Sequence, residues 1–432
     1  MPGWVDNVIW WHVYPIGFLG ADARGAERAP VRTLRDLTVW LDYLVELGAN
    51  GLALGPVFRS STHGYDTLDY LSIDERLGDR ADFDTLVAEC RRRGVRVLLD
   101  GVFNHVGPDF PRLQAARAGD ADAARWFVRD EKTGELGTFE GHSGLIALNH
   151  AEPQVVIFVA AVMNHWLDAG ADGWRLDAAY TVPRSFWGQV LPAVRERHPE
   201  AYIVGEVIHG DYPGIVRESG MDSLTQYELW KAIWSSVNDR NLFELSWALK
   251  RHCEMLQTFV PMTFTGNHDV TRIASRIDDE RHLPHTIVLL LTLPGTPSVY
   301  YGDEQGFRGV KEDRAGGDDA VRPPFPAEGP SDLAPFGWDL YRLHQLLIGF
   351  RRRNAWLRRA EVEVRRLTNH FLSYECRSGA EHLVVAVNLG DSPESVELPP
   401  GEYSVFDSTA DRSDRISARL TVPAHRWAIA HR

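Results

Sequence analysis

One feature limits what this chain can fold into more than any other: short apolar runs alternate with segments of helical periodicity. VIWWHVY (8–14) is a compact aromatic and β-branched run. TLRDLTVWLDYLVELG (33–48) follows, with Thr33 as N-cap, Leu34, Leu37, Leu41, Leu44 and Val45 at helical spacing, and Gly48 as the stop. ANGLALG (49–55) reads as a second strand, FDTLVAECRRRG (83–94) as a helix ended by glycine, and VRVLLDGV (95–102) as a third strand. Pro153 opens another helix, with Val155, Val159, Val162 and Trp166 near one face. ADGWRLD (171–177), AYIVGEV (201–207), the region of DSLTQY (222–227), PMTFTG (261–266) and PSVYYGD (297–303) supply five more strands. Eight strands with helices between them predict an α/β fold, a (β/α)8 TIM barrel. A doubly wound open sheet is the alternative. It more often shows a glycine-rich phosphate turn after its first strand, and VIWWHVYPIGF contains no GxGxxG.

The pattern breaks in two places. Residues 106–152 are irregular and rich in Gly, Asp and Ala, an insertion after strand three. Beyond about 348, RRRNAWLRR (351–359) gives way to short alternating strands in HFLSYECR, HLVVAVNLG and ESVELP. The expected organisation is a catalytic barrel over 1–105 and 153–348, a short domain B over 106–152, and a C-terminal antiparallel β-sandwich over 349–432. KEDRAGGDDAVRPPFPAEGPSDLAPF (311–336) reads as a long loop after the eighth strand, at the rim where barrel sites sit.

Charge narrows the partners. The formal net charge is −14 and the pI about 5.6. An acidic surface argues against nucleic acid or an anionic membrane and suits a neutral small molecule. Cys90, Cys253 and Cys376 are scattered, so no disulfide framework is expected, and the lack of a CxxC spacing argues against a zinc site. MPGWVDNVIWW has no basic region followed by an apolar stretch, and the longest apolar run, IVLLLTL, is too short to span a bilayer. A cytoplasmic protein is expected. Fourteen tryptophans permit sugar stacking but fit a large core equally well.

Polar residues collect at the C-terminal ends of the strands: Asp100, Asn104 and His105 in DGVFNH, Arg175 and Asp177 in GWRLD, Glu206 in GEV, His268 and Asp269 in GNHD. Ion pairs closing the barrel end could account for any one of them. The set as a whole suits acetal cleavage, which needs a proton on the leaving oxygen and support for an oxocarbenium-like centre. Arg175 and Asp177 are two apart in a strand and share a face, so the arginine can keep the aspartate ionised.

DGVFNH, GWRLDAAY, GEV and GNHD, in this order, resemble the four signature regions of the α-amylase family, glycoside hydrolase family 13. GYDTLDY (64–70), LIALNHAEP (145–153) and YYGDE (300–304) resemble three further landmarks, and the likeness spans nearly the whole chain. It implies a retaining hydrolase in which Asp177 is the nucleophile, Glu206 the general acid/base and Asp269 the third carboxylate. Arg175 would orient Asp177, Asp100 would pair near Arg175, and His105 and His268 would hydrogen-bond sugar hydroxyls. Tyr65 would stack under the sugar, although a core aromatic reads as well. Asp66 and Arg272 match supporting positions, with Arg272 on the substrate side, and an ordinary salt bridge fits both. No organic cofactor is implied. Many members bind calcium through the equivalent of Asn104, a domain B carboxylate and a histidine carbonyl after the nucleophile. Thr181 stands where that histidine usually is; its carbonyl could still serve, so calcium stays open, but a structural hydrogen-bonding role for Asn104 is the expectation and no metal residue is assigned.

GWRLDAAYTVPRSFW and AYIVGEVIHG most resemble the cyclomaltodextrinase, neopullulanase and maltogenic amylase branch. That branch commonly carries an N-terminal dimerisation domain. Here the first strand begins near Val8, so that domain is expected to be missing; a homodimer stays open. The short domain B suits short or cyclic malto-oligosaccharides, as in the cyclic maltosyl-maltose hydrolases. Glycosyl transfer, as in glucanotransferases or trehalose-forming isomerases, is the rival reading. A non-catalytic carbohydrate-binding subunit is a further one, against which the complete carboxylate set argues.

Overall fold

A computed structural model describes the 432 residues apart from 131, 315 and 408–414. The chain divides into two compact units. One comprises Met1–Val5, Trp10–Thr225 and Arg322–Ala334; the other comprises Asp6–Ile9, Gln226–Val321 and Pro335–Arg432.

In the first unit, six parallel strands lie side by side in chain order. They are β1 (Trp10–Val13), β2 (Gly51–Leu54), β3 (Arg96–Gly101), β4 (Gly173–Leu176), β5 (Tyr202–Gly205) and β6 (Ser223–Leu224). β1, β2, β4 and β5 are buried along their whole length, which is why they read as unbroken apolar runs rather than alternating ones. Parallel neighbours require long crossovers. Helices Arg80–Arg92, Pro153–Asp168 and Arg184–Arg197 lie in them. Asp79 starts the first by accepting the Ala81 and Asp82 N–H groups, and Pro153 starts the second.

The segment from Thr33 is two pieces rather than one helix: a 3-10 stretch, Leu34–Trp40, then an α-helix, Leu41–Leu47. Asp36 accepts the Thr33 N–H at 2.7 Å, and Gly48 ends the helix at φ 97°. Leu34, Leu37, Leu41 and Leu44 are buried, but Val45 lies off that face and is exposed. Phe325, from the returning segment, packs against Trp11, Phe18 and Trp40, so part of the expected long loop is anchored by an aromatic core. A hairpin not foreseen from sequence, Phe58–Ser60 with Thr67–Ile73, follows β2. The insertion after β3 contains a three-stranded antiparallel sheet: His105–Val106, His142–Ala147 and Thr138–Phe139.

The second unit holds the parallel pair β7 (Met262–Phe264) and β8 (Thr296–Tyr300), with helices Tyr227–Asn238, Leu242–Leu256, Leu283–Thr292 and Trp338–Arg353. Its C-terminal strands are β9 (Glu361–Leu367), β10 (Phe371–Ser378), β11 (Glu381–Asn388), β12 (Glu394–Glu397), β13 (Tyr403–Asp407), β14 (Arg415–Ile416), β15 (Arg419–Val422) and β16 (Trp427–His431). They form a six-stranded sheet, β9-β10-β11-β16-β13-β14, and a two-stranded sheet, β12-β15. Phe371, Val384, Ala386 and Ala430 of the larger sheet share one apolar core with Val396, Leu420 and Val422 of the smaller.

The basic run 351–359 is partly interior. Arg351 donates to the carbonyls of Leu291, Leu293 and Gly295, and burial lowers its pKa to about 10. The three cysteines are free thiols, and burial raises Cys90 to about 12. No helix among the described residues is long and apolar enough to cross a membrane.

Candidate active site

In the first unit the site grows out of β3, β4 and β5. Parallel register sets Asp100 of β3 opposite Arg175 of β4, and Arg175 opposite Val204 of β5. The ladder runs one residue past each strand end. The Asp177 N–H donates to the Gly101 carbonyl at 3.0 Å, and the Glu206 N–H to the Leu176 carbonyl at 2.8 Å. Both carboxylates are thereby fixed by backbone before any side-chain contact.

Arg175 is the hub. Its Nη1 donates to Asp100 Oδ1 and Oδ2 at 2.7 and 2.6 Å and to Asp177 Oδ1 at 3.3 Å, while Nη2 lies 2.6 Å from Glu206 Oε1. Burial alone would push the guanidinium down. Asp100, then Glu206, Tyr65 and Asp177, outweigh that and hold it charged, well above its ordinary range. Glu206 Oε2 accepts the Ala178 N–H at 3.0 Å. Ala178 turns that N–H inward from φ 44°, a left-handed conformation that non-glycine residues seldom hold away from functional sites. Glycine before Glu206 keeps the packing close: a Cβ on Gly205 would come within 2.5 Å of the Met221 sulfur, which would have to move. Asp177 and Glu206 each keep 7 % of their surface exposed.

Tyr65, half-buried, donates its hydroxyl to Asp100 Oδ2 at 3.1 Å. Asp66 holds the same loop, but through hydrogen bonds from the Thr62 N–H and hydroxyl rather than through a salt bridge. His105 differs from the expected sugar contact: both its ring nitrogens are engaged within the chain. Nε2 meets the Tyr65 carbonyl at 2.9 Å and Nδ1 the Asn104 amide at 3.1 Å. Burial lowers its pKa to about 4, so the ring is neutral and bonds as a seat for the Tyr65 loop. The Thr181 hydroxyl donates back to the Ala178 carbonyl.

Two residues of the insertion escaped sequence reasoning. Phe139 stacks on His105 with centroids 4.8 Å apart, and Glu140, at φ 48°, accepts the Tyr180 hydroxyl at 2.7 Å. Burial, then Glu140, raises the Tyr180 pKa. An aromatic-acidic pair in TFEG carries no spacing signal that would have found them.

The second unit holds the remaining predicted residues at the ends of β7 and β8. His268 is buried, with Nε2 2.9 Å from Asp269 Oδ2. The Asp269 N–H donates to Asn267 Oδ1 at 2.9 Å, and Asn267 in turn donates to the Tyr227 hydroxyl. Arg272 is fully buried, which its expected place on the substrate side did not anticipate. It donates to Asp303 Oδ1 and to the Tyr301 carbonyl, both at 2.9 Å, and stacks over Tyr300. Burial raises Asp303 to about 6 despite this pair. The role this geometry gives Arg272 is to brace the chain after β8.

These strand-end carboxylates sit in a chain whose residues 12–368 match the alpha amylase catalytic domain and whose residues 358–430 match a domain of unknown function, DUF3459. It belongs to the alpha-amylase family of glycoside hydrolases. Its fold is the TIM barrel of that family followed by an antiparallel β domain. A cyclomaltodextrinase of Geobacillus thermopakistaniensis is 30% identical, over 92% of this chain and 71% of its own length. An intracellular maltogenic amylase of Bacillus subtilis is 30% identical over 72% of the chain, which spans only 57% of that relative. The ligand-free cyclic α-maltosyl-(1→6)-maltose hydrolase of Arthrobacter globiformis superposes with a TM-score of 0.82 at 26% identity, with all of both chains covered.

Proposed function

We propose that the protein is a retaining hydrolase of short or cyclic malto-oligosaccharides, cleaving α-1,4 and also α-1,6 glucosidic bonds through a covalent glycosyl-enzyme. The observation that carries this reading is the contact of one guanidinium with both Asp177 and Glu206. It supports the short carboxyl separation, about 5–5.5 Å, of retaining rather than inverting enzymes.

Asp177 attacks the anomeric carbon while Glu206 gives its proton to the departing glycosidic oxygen. Water then enters, Glu206 takes back a proton, and the sugar leaves Asp177 with its α configuration kept. Both Glu206 oxygens are engaged, by Arg175 and the Ala178 N–H, so the glycosidic oxygen takes the place of one partner as substrate enters. Arg175 keeps Asp177 ionised, and Asp269 with His268 holds sugar hydroxyls. Tyr65 supplies a ring for the sugar at the cleaved bond. No metal or organic cofactor takes part. The short insertion and the activities of the relatives support small linear and cyclic glucans as substrates. The scattered free thiols and the intracellular relative support a cytoplasmic location.

The test is a time course on linear maltodextrins, cyclodextrins, pullulan and small cyclic tetrasaccharides, with the anomer followed by NMR. The α-anomer is expected first, and Glu206→Gln should cut turnover by about 10³-fold or more with the fold intact. Initial β-anomer, or an unimpaired Glu206→Gln enzyme, would overturn the assignment. Products longer than the substrate would show transfer rather than hydrolysis.

A further inference from the structure

The second unit contains a cluster of a different kind, built from histidines and one aspartate. His282, in the 3-10 turn Glu280–His282 ahead of helix Leu283–Thr292, places Nε2 3.0 Å from Nδ1 of His425, on the turn between β15 and β16. Its Nδ1 lies 3.9 Å from Asp279 Oδ2. One ligand atom from each of Asp279, His282 and His425 lies within 4.8 Å of the others. Tetrahedral zinc, with bonds of about 2.0–2.2 Å, separates its ligand atoms by about 3.3 Å. The two rings already have nearly that spacing, and the carboxylate reaches it by side-chain rotation.

Two further observations point the same way. His425 Nε2 donates to Asp391 Oδ1 at 2.8 Å, which leaves Nδ1 with its lone pair toward His282. A carboxylate behind an imidazole is the arrangement that fixes the tautomer of metal-bound histidines. His425 also stands at φ 56°, one of four non-glycine residues with positive φ among those described, and this backbone carries its ring to His282. Arg281 and Arg240 pair with Asp279 and oppose a cation, but both are exposed enough to swing clear.

We propose that Asp279, His282 and His425 form a structural site for a divalent transition-metal ion of the zinc type, clamping the turn before helix Leu283–Thr292 to the β15–β16 turn. Two imidazoles and one carboxylate select zinc over calcium, and water completes the fourth position. The ion replaces the hydrogen now shared between the rings, with His282 carrying its own on Nδ1. Asp279 and His282 are three residues apart, but His425 lies 143 positions beyond His282, and none of the three is a cysteine, so a search for cysteine spacing could not find them.

The experiment uses the untagged full-length chain, stripped with EDTA and then titrated with zinc chloride. Metal content is measured by mass spectrometry, Tm by calorimetry, and geometry by the visible spectrum with cobalt(II). One zinc per chain, a tetrahedral cobalt spectrum and a Tm rise of about 2–5 °C are expected. His425→Ala, at a partly buried turn position, should lose the zinc, the cobalt spectrum and the Tm response while keeping zinc-free hydrolysis unchanged. Asp391→Asn should weaken zinc about 10-fold or more and serves if the first variant is unstable. A wild-type chain that keeps no zinc, or variants that bind it as tightly as wild type, would overturn the proposal.

Discussion

Arg175 shows how much one side chain can settle. A single planar fork meets Asp100, Asp177 and Glu206, and its position follows from strand register rather than from a loop. Lysine carries the same charge but only one nitrogen, which cannot span three carboxyl groups. Arg175→Lys should therefore lower kcat/KM by about 10²–10³-fold, with the loss mainly in kcat, because Asp177, the nucleophile proposed above, is misplaced rather than the sugar unbound. Steady-state kinetics with circular dichroism as the folding control would show it. Activity within a few-fold of wild type would mean that charge alone suffices. The opposite-charge pair in GWRLD was readable because residues two apart in a strand share a face. The third contact, to Glu206, was not, since it depends on which strand lies next to β4.

At the scale of elements, apolar runs marked seven of the eight parallel strands, because strands buried on both faces leave an unbroken hydrophobic signature; the sixth, Ser223–Leu224, lies in the polar stretch DSLTQY. The hairpin strand Thr67–Ile73 left none. It is irregularly buried and carries Asp69 and Ser72, so neither alternation nor a run is present. It was visible only as the motif GYDTLDY. The Thr33–Gly48 segment was legible as helical but not as two winding modes, since i+3 and i+4 spacing look alike over so few residues. The insertion was legible as irregular and nothing more. Its contacts to the site, Phe139 on His105 and Glu140 on Tyr180, join residues 34 and 40 positions apart across segments without periodicity. The zinc-type cluster was hidden for the same reason.

For the molecule as a whole, acid sensitivity follows from buried histidines. His105, His252 and His344 are each lowered to about 4, in every case by burial first. The ordinary value is near 6.5, so between pH 6.5 and 4 the unfolded chain binds protons that the folded chain refuses. Stability is whole above pH 6.5 and falls as the pH drops through that window, by about 1.4 kcal/mol per pH unit for each histidine fully charged in the unfolded state. Calorimetric Tm values from pH 7.5 to 4.5 should trace this fall, and His344→Gln should flatten it by close to one proton. A Tm that holds level to pH 4.5 would contradict it.

The triple contact at Arg175 also sets a charge balance. Even with the proton on Glu206, two carboxylates face one guanidinium, and the pocket around them is left with an excess negative charge. Positive charge building on the sugar ring during bond breaking moves toward that excess, whereas a substrate bearing its own anion must approach against it. Discrimination against phosphorylated and carboxylated sugars is therefore a by-product of the catalytic arrangement and needs no dedicated gatekeeper. A phosphorylated maltodextrin hydrolysed as fast as its neutral parent would show otherwise.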